Sequence, residues 1–229
     1  MTEKLYFEEL MREPGASGGC YVYRGEVADA AAVRGVYSDV AFMGRQVHSV
    51  AVAEIASAED PVPEADALVT FRDGLTVGVL TADCVPILLY APDLRGVAAV
   101  HAGWKGTLGG IVGETVSYLM ECGAAPEKMV AAFGPSIGVG VYEVSPEVGE
   151  MFADAGFSSC VVMAGRPHID LQRVNRERML RLGLLPDHIR LHPGCTFTSL
   201  SPDCLPLYPS HRRSGGAPAR LLTAIRLIP

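Results

Sequence analysis

The chain has 229 residues, of which 49% are hydrophobic and 20% are charged, and its formal net charge at pH 7 is −7. This length and apolar content suit one sizeable core, so we expect a single catalytic domain over residues 1–229. The acidic balance, without a long basic run, excludes nucleic acid and anionic membrane surfaces as partners attracted by the overall field.

The cysteines and the apolar segments predict a soluble cytoplasmic protein, which we expect to be a monomer or a weak homodimer. Six cysteines in a chain of this length do not resemble a dense disulfide framework, and no CxxC pair is present for a four-cysteine zinc site. Acidic residues interrupt the apolar residues near the N-terminus, which excludes a signal peptide there. The longest apolar runs, such as residues 85–91, are too short to span a bilayer.

In chain order, an irregular N-terminal quarter is followed by a turn-rich loop, SAEDPVPEA, at residues 57–65. Short apolar runs bounded by Asp, Pro and Gly then predict strands at residues 76–80, 86–90 and 97–101. Apolar residues at helical spacing predict one helix that ends before Pro126 and buries Leu108, Ile111, Val112, Val116 and Leu119.

The second half of the chain continues to mix strands and helices. Residues 129–133 and 220–227 predict strands, and a helix begins at Ser145-Pro146 and runs to about residue 154. Asp170 is the expected N-cap of a further helix. Because strands and helices do not alternate strictly, we predict an α/β or α+β layered sandwich with a mixed sheet, not a doubly wound fold.

Two histidines and a cysteine are the strongest candidates for a functional site. Cys84 lies in a break between two predicted strands, and His101 ends a predicted strand before a glycine-bounded turn. Active-site groups usually project from such positions. With His48, these side chains make a set of imidazole and thiolate donors that suits zinc, and three protein ligands leave a fourth position open for water or substrate.

Spacing alone leaves other interpretations open. No regular local motif links the three residues, so spacing alone favours buried or hydrogen-bonded side chains and leaves a metal-free nucleophile–base dyad of Cys84 and His101 comparable to a metal site. A blue-copper centre also takes two histidines and a cysteine. A multicopper oxidase needs a further histidine-rich cluster, and the remaining histidines form no HxH pair.

Several sequence blocks, taken together, are specific for one family. They are ADALVT, TADCVPILL and HAGWKG within residues 64–113, with Gln46-Val47-His48, Gly134-Pro135-Ser136-Ile137-Gly138, Tyr142-Glu143-Val144, Cys195-Thr196 and Ser210-His211-Arg212-Arg213. Over residues 46–227 the chain resembles the YfiH/YlmD family, also called the laccase-domain or multicopper polyphenol oxidase family. It departs from the family pattern at Ser49, where glycine is usual after the histidine.

The resemblance implies a layered α/β fold shared with cysteine-hydrolase-like toxins. It also implies a zinc ion, or alternatively copper, bound by His48, Cys84 and His101. The implied activities are phosphorolysis of adenosine, inosine and 5′-methylthioadenosine, and adenosine deamination; an older assignment is copper-dependent phenol oxidation. Purine nucleosides and phosphate are therefore the expected partners.

Charged residues beside these blocks are candidates for phosphate binding. Lys105 follows Trp104 at a predicted helix N-terminus, where a cation can help to bind an anion. Arg212 and Arg213 can hold phosphate through bidentate hydrogen bonds. The alternative for each of the three is a surface role, solvated for the lysine and paired with acidic residues for the arginines.

Two polar residues near the predicted metal ligands complete the candidate site. Asp66 can orient a metal-bound histidine or serve as the acid–base group, or it can simply cap a turn. Gln46 would share a face with His48 on a strand and is expected to contact water or substrate. We therefore predict catalytic roles for Cys84, Asp66 and Lys105. We predict substrate or phosphate binding by Gln46, Lys105, Arg212 and Arg213.

Overall fold

Three layers of strands and helices make up the part of the chain that the computed structural model describes, residues 3–24, 41–216 and 219–229. The strands in these residues are β1 (Glu3–Glu13), β2 (Ala16–Arg24), β3 (Val52–Glu54), β4 (Ala67–Thr70), β5 (Thr76–Thr81), β6 (Val85–Ala91), β7 (Gly96–Ala102), β8 (Val130–Phe133), β9 (Val161–Ala164), β10 (Arg166–Ile169), β11 (Ile189–Arg190) and β12 (Leu221–Leu227). The α-helices are α1 (Trp104–Gly109), α2 (Ile111–Glu121), α3 (Pro146–Phe152), α4 (Leu171–Arg181) and α5 (His211–Ser214).

Most of these strands pair into two large sheets. A four-stranded antiparallel sheet has the order β1-β2-β12-β5, and a six-stranded sheet has the order β11-β8-β6-β7-β4-β3. In the six-stranded sheet the outer pairs β11–β8 and β3–β4 are parallel, whereas the inner pairs are antiparallel. The prediction of a mixed α/β fold with a mixed sheet is therefore confirmed. Strands β9 and β10 form a separate antiparallel hairpin.

The six-stranded sheet is the central layer, and its strands β6 and β7 are buried along their whole length. Alternate side chains of β6 point to opposite faces of the sheet. Ile87 and Leu89 pack among residues of α2 and α4, whereas Leu88 and Tyr90 pack against the four-stranded sheet. A strand covered on both faces needs a continuous apolar run, and such runs predict both strands to within one residue of their bounds.

The single helix predicted across residues 108–119 is two helices, because Gly110 interrupts it. Gly110 has φ +100°, a left-handed conformation that glycine adopts without steric cost. Its N–H closes α1 by donating to the carbonyl of Gly106 at 2.8 Å, and α2 begins at the next residue. The predicted apolar face of α2 is buried, whereas Leu108 in α1 is only partly buried.

The prediction of an irregular N-terminal quarter is wrong for residues 3–24, which form the β1–β2 hairpin. Met11 of β1 is buried, whereas its neighbour Arg12 is exposed, as in a strand with one solvated face. The turn is Pro14-Gly15, where Gly15 has φ +98° and Tyr90 of β6 donates a hydrogen bond to the carbonyl of Pro14 at 2.8 Å. Residues 25–40, to which the same prediction applies, lie outside the described residues.

The remaining predicted elements lie close to their expected positions. Residues 57–65 form a loop, and the predicted final strand is β12. The carboxylate of Asp170 accepts the N–H of Arg173 at 2.9 Å and caps α4, whereas the side chain of Ser145 makes no cap bond to α3. Within the described ranges no helix is long and apolar enough to cross a membrane, and the longest α-helices have 11 residues.

Candidate metal centre

The side chains of His48, Cys84 and His101 converge at one end of the central sheet. One donor atom from each lies within 4.8 Å of the other two, and the two imidazole centroids are 4.9 Å apart. Strand pairing explains part of this convergence. Strands β6 and β7 are antiparallel with Pro86 opposite His101, so Cys84, just before β6, lies beside the end of β7.

His48 comes from the loop before β3, and Asp66, just before β4, holds that loop in place. The carboxylate of Asp66 accepts the backbone N–H groups of Val47, His48 and Ser49 at 3.2, 3.0 and 2.7 Å. It also lies 2.7 Å from Nδ1 of His101. One fully buried carboxylate therefore connects the segments that carry the two histidines.

Cys84 is held from the opposite side by its neighbour Asp83. Asp83 has φ +87°, an unfavourable conformation for a residue with a side chain. Its carboxylate accepts the hydroxyl of Thr196 at 2.6 Å and the backbone N–H of Arg212, in α5, at 2.7 Å. These bonds fix the turn that presents the Cys84 thiol beside His101.

Gly103 leaves open the space between His48 and Cys84. A Cβ atom at this position would lie 2.7 Å from Nδ1 of His48 and 3.1 Å from Sγ of Cys84. Two imidazoles and a thiol are donors that zinc and copper both accept. The residues present therefore fit a metal ion, with the buried His101 on the inner side and the exposed His48 on the outer side.

The charges of this cluster compensate one another. Burial opposes protonation of His101, but the neighbouring Cys84 and the hydrogen bond to Asp66 outweigh it and raise the pKa of His101 to about 9. Burial also opposes ionisation of Asp66, yet hydrogen bonds from His101 and Ser49 hold the pKa of its carboxyl well below its usual range. A metal ion would replace the extra proton of His101, since imidazole binds metals in its neutral form.

A cavity of about 660 Å³ opens over the cluster, large enough for a small organic substrate. It is lined by Gln46, His48, Leu80, Thr81, Ala82, Asp83, Cys84, His101, Trp104, Lys105, Ile137, Tyr142, Leu171, His211, Arg212 and Arg220. The lining combines apolar surface, one aromatic residue from α1 and cations from three separate parts of the chain. A phosphate-bearing or otherwise anionic group would meet those cations inside an acidic protein.

Two of the predicted cations line the cavity. Lys105 is exposed on the cavity wall, with its ammonium 5.7 Å from the centre of the Trp104 ring. The guanidinium of Arg212 donates to the carbonyl of Glu143 at 2.8 Å and lies 5.1 Å from the ring of Tyr142. Both cations therefore share one cavity with the side chains of His48, Cys84 and His101.

Three other predicted site residues have structural partners. The side-chain amide of Gln46 lines the cavity but donates to and accepts from the backbone of Leu80, at 2.7 and 2.8 Å. Arg213 is not among the lining residues, and its guanidinium donates to the carbonyls of Thr196, Phe197 and Tyr208. Asp66 also lies outside the lining, so its position suits orientation of the histidines better than contact with a substrate.

The sequence did not point to every residue of this site. Gly103 can be identified as a site residue from the sequence, because it lies between His101 and Trp104 in the HAGWKG block. Tyr142 lies in the Tyr142-Glu143-Val144 block, which by itself indicates no role for the ring. No sequence motif around Arg220 indicates that it belongs to the site. It reaches the cavity because β12 pairs with β5, with Leu221 opposite Thr81.

The chain is similar over most of its length to one protein family. A family model described as multi-copper polyphenol oxidoreductase laccase matches residues 24–228. Among solved structures, that of YlmD from Geobacillus stearothermophilus is similar, with a TM-score of 0.78 and 27% sequence identity over 94% of this chain and 93% of that chain.

Curated relatives carry the names of two purine nucleoside activities. A purine nucleoside phosphorylase of Deinococcus radiodurans is 41% identical over 151 residues, which cover 65% of this chain and 58% of that protein. Adenosine deaminase RL5, from an unknown prokaryotic organism, is 38% identical over 164 residues, which cover 66% and 63%. The chain thus spans about three fifths of the length of these relatives.

Proposed function

The chain belongs to the multi-copper polyphenol oxidoreductase laccase family, and on that premise we propose that it is a zinc-dependent purine nucleoside phosphorylase that also deaminates adenosine. Its proposed substrates are adenosine, inosine and 5′-methylthioadenosine, with phosphate as the second substrate. The observation that carries the proposal is the cavity in which three metal-ligating side chains share a wall with Lys105 and Arg212. The names of the curated relatives support the same two activities.

His48, Cys84 and His101 are the proposed ligands of the metal ion. An ion held by three protein ligands supplies a Lewis acid with an open coordination position. Gly103 keeps free the space that such an ion needs, and the carboxylate of Asp66 contacts Nδ1 of His101 at 2.7 Å. The exposed side of the cluster, at His48, faces the cavity where the nucleoside would bind.

The cations of the cavity have the role of binding phosphate and placing it for attack on the ribose. Phosphorolysis forms a bond between a phosphate oxygen and the sugar carbon while the bond from that carbon to the base breaks. Positioning a second reactant in this way is worth several kcal/mol of the barrier, about 7–11 kcal/mol at its best. Lys105 supplies a point charge and Arg212 a guanidinium already fixed by the Glu143 carbonyl.

The apolar and aromatic lining has the role of binding the purine. Trp104, Tyr142, Ile137 and Leu171 provide flat or apolar surface within the same cavity. Because the lining extends from Gln46 to Arg220, most of the chain contributes to one site, which supports the proposal of a single catalytic domain.

Metal analysis and product analysis of the purified protein test this proposal together. Protein purified without added metal is expected to hold about one zinc ion per chain, and to convert inosine and phosphate to hypoxanthine. His48→Ala, Cys84→Ala and His101→Ala are each expected to lower both the zinc content and the activity. His188→Ala is the matched control, since His188 lies outside the cavity and outside the cluster.

Two results would contradict different parts of the proposal. If no product forms from inosine, adenosine or methylthioadenosine while zinc is bound, the substrate assignment fails and the metal centre stands. If all three ligand variants keep full zinc occupancy, the ligand assignment fails.

Copper-dependent phenol oxidation is the second candidate, favoured by the family description and by a donor set that copper also accepts. Among the described residues the three-residue cluster is the only group of its kind, whereas multicopper chemistry needs additional histidine-rich sites. Copper content and oxygen consumption with a phenol distinguish this activity from nucleoside cleavage.

A metal-free cysteine hydrolase is the third candidate, and it fits the implied relation of the fold to cysteine-hydrolase-like toxins. Cys84, His101 and Asp66 lie in the order of a nucleophile, a base and an orienting carboxylate. Activity that persists after complete removal of metal by a chelator would favour this candidate over the other two.

A further inference from the structure

Asp66 carries more hydrogen bonds than a turn-capping aspartate needs. Its Oδ1 accepts the N–H of His48 at 3.0 Å and lies 2.7 Å from Nδ1 of His101. Its Oδ2 accepts both the N–H and the hydroxyl of Ser49 at 2.7 Å, and the N–H of Val47 at 3.2 Å. The carboxylate is fully buried, so all of these bonds are made without competition from water.

The bonds to the 47–49 segment determine where the His48 imidazole lies. His48 has φ +60°, in the left-handed region that side chains disfavour. Backbone N–H groups on both sides of it, from Val47 and Ser49, are held by the same carboxylate. The segment therefore wraps around Asp66, and that wrapping keeps His48 directed at Cys84 and His101.

The bond to His101 determines which of its nitrogen atoms faces the cluster. An ionised carboxylate only accepts hydrogen bonds, so the neutral imidazole carries its hydrogen on Nδ1 and presents the Nε2 lone pair to a metal ion. Carboxylates that contact metal-bound histidines in this way orient the ring and raise its basicity.

Asp60 shows what an aspartate does when it only stabilises a turn. Its carboxylate accepts the backbone N–H groups of Ala56 and Ser57, at 2.7 and 3.0 Å. It makes no contact with a metal-ligating side chain among the bonds of the described residues. Asp66 makes the same kind of backbone bonds and also contacts His101.

We propose that Asp66 is the positioning residue that preorganises His48 and His101 for the metal ion, and that the Ser49 hydroxyl shares this role. The inference rests on the proposed metal centre. Ser49 is a particular feature of this chain: its hydroxyl donates to Asp66 and accepts the N–H of Ala51 at 3.1 Å, so it links the carboxylate to the start of the next strand.

Zinc affinity measured with zinc alone, by competition with a chromogenic chelator, tests the proposal. Asp66→Asn keeps the shape of the side chain but replaces one acceptor oxygen with a donor, and is expected to weaken zinc binding by roughly ten- to a hundredfold. Ser49→Ala is expected to weaken it less. Asp60→Asn, the matched control, is expected to bind zinc as tightly as the wild type. Cobalt(II) absorption bands should change in Asp66→Asn and stay unchanged in Asp60→Asn, since they report the ligand geometry.

The outcomes separate positioning from a merely structural role. If folded Asp66→Asn loses thermal stability without metal but binds zinc and cobalt like the wild type, the proposal is overturned. If Asp66→Asn does not fold, Ser49→Ala decides: weaker zinc binding supports the proposal, and unchanged binding overturns it. A wild-type protein that binds neither zinc nor cobalt would overturn the proposed metal centre and this inference with it.

Discussion

Replacing Gly103 by alanine, which adds one carbon atom, is the most direct test of the proposed metal centre. Its φ of −69° is one that alanine adopts readily, so the backbone tolerates the change. The added methyl group would nevertheless lie within 2.7 Å of His48 Nδ1 and 3.1 Å of Cys84 Sγ. We therefore expect Gly103→Ala to lower zinc affinity by at least about tenfold, in the range found when ligand support is disturbed.

Metal content after dialysis against a weak chelator measures this effect. Gly140→Ala is the control, because a Cβ at Gly140 would meet nothing within 4 Å and its φ is not in the left-handed region. Equal zinc occupancy in both variants would contradict the position assigned to the ion.

Lys105 allows the two proposed reactions to be separated within one cavity. Phosphorolysis needs bound phosphate, whereas deamination needs only water, and within the described residues Lys105 makes no ion pair that its loss would leave incomplete. We expect Lys105→Met to raise the phosphate concentration required for inosine cleavage by roughly ten- to a hundredfold, as for one lost charge-assisted hydrogen bond. Ammonia release from adenosine should change little.

Rates of both reactions across a phosphate titration decide the role of Lys105. Lys128→Met is the control, since Lys128 lies outside the cavity, 3.9 Å from Asp93. An equal loss of both reactions would mean that Lys105 shapes the cavity in general, and an unchanged phosphate dependence would return it to the role of a surface lysine.

At the scale of the element, the junction between α1 and α2 distinguishes two glycines only three positions apart. Gly110 has φ +100°, so alanine there is expected to lower the free energy of unfolding by about 1–2 kcal/mol. Gly113 lies inside α2, where a Cβ would make an ordinary contact with Leu182 at 3.8 Å. Gly113→Ala is therefore expected to raise the free energy of unfolding by about 0.5–1 kcal/mol.

Urea denaturation of the two variants beside the wild type checks both signs. A rise of both midpoints would show that helical propensity, and not the left-handed conformation of Gly110, controls this region.

The strands that the sequence predicts best are those that are buried on both faces, because their residues are then apolar without interruption. Strands β6 and β7 are covered on both faces and read as apolar runs. Strand β1 has exposed Glu9 and Arg12 beside buried Met11. Its register with β2 shifts between Glu9 and Met11, so its burial does not follow a strict period of two. The Pro14-Gly15 turn was the available signal for the hairpin.

The site was predictable to the extent that its residues lie within recognisable sequence blocks. His48, Cys84 and His101 do, and the structure brings them together. Arg220 does not, because only the pairing of β12 with β5 brings it to the cavity. Adjacent arginines are also indistinguishable in sequence, although Arg212 lines the cavity and Arg213 donates to the carbonyls of Thr196, Phe197 and Tyr208.

At the scale of the whole molecule, the two large sheets lie so close together at Gly18 that an added side-chain atom is expected to lower the free energy of unfolding. Gly18 of β2 faces the central sheet, and a Cβ there would lie 2.7 Å from Leu88 Cδ1 and 2.9 Å from the carbonyl oxygen of Ala224. The backbone oxygen has little freedom to move, so Gly18→Ala is expected to cost about 1–3 kcal/mol of unfolding free energy.

The midpoint of urea denaturation, monitored by both fluorescence and circular dichroism, measures this cost. Gly140→Ala again supplies a site without neighbours. A Gly18→Ala variant as stable as the wild type would mean that β2 can shift away from Leu88 and from its neighbour β12 without loss of stability.

Strand β12 lies between β2 and β5, and this position makes completion of the fold depend on the order of synthesis. Until β12 has been synthesised, β2 and β5 have no shared neighbour, and Arg220 has not reached the cavity. The edges of both strands stay unpaired until residues 221–227 emerge, and unpaired edges are the surfaces through which nascent chains aggregate. Pairing across such long sequence separations is also slow. The four-stranded sheet therefore protects these two edges only after β12 has joined it, and the cavity gains Arg220 in the same step.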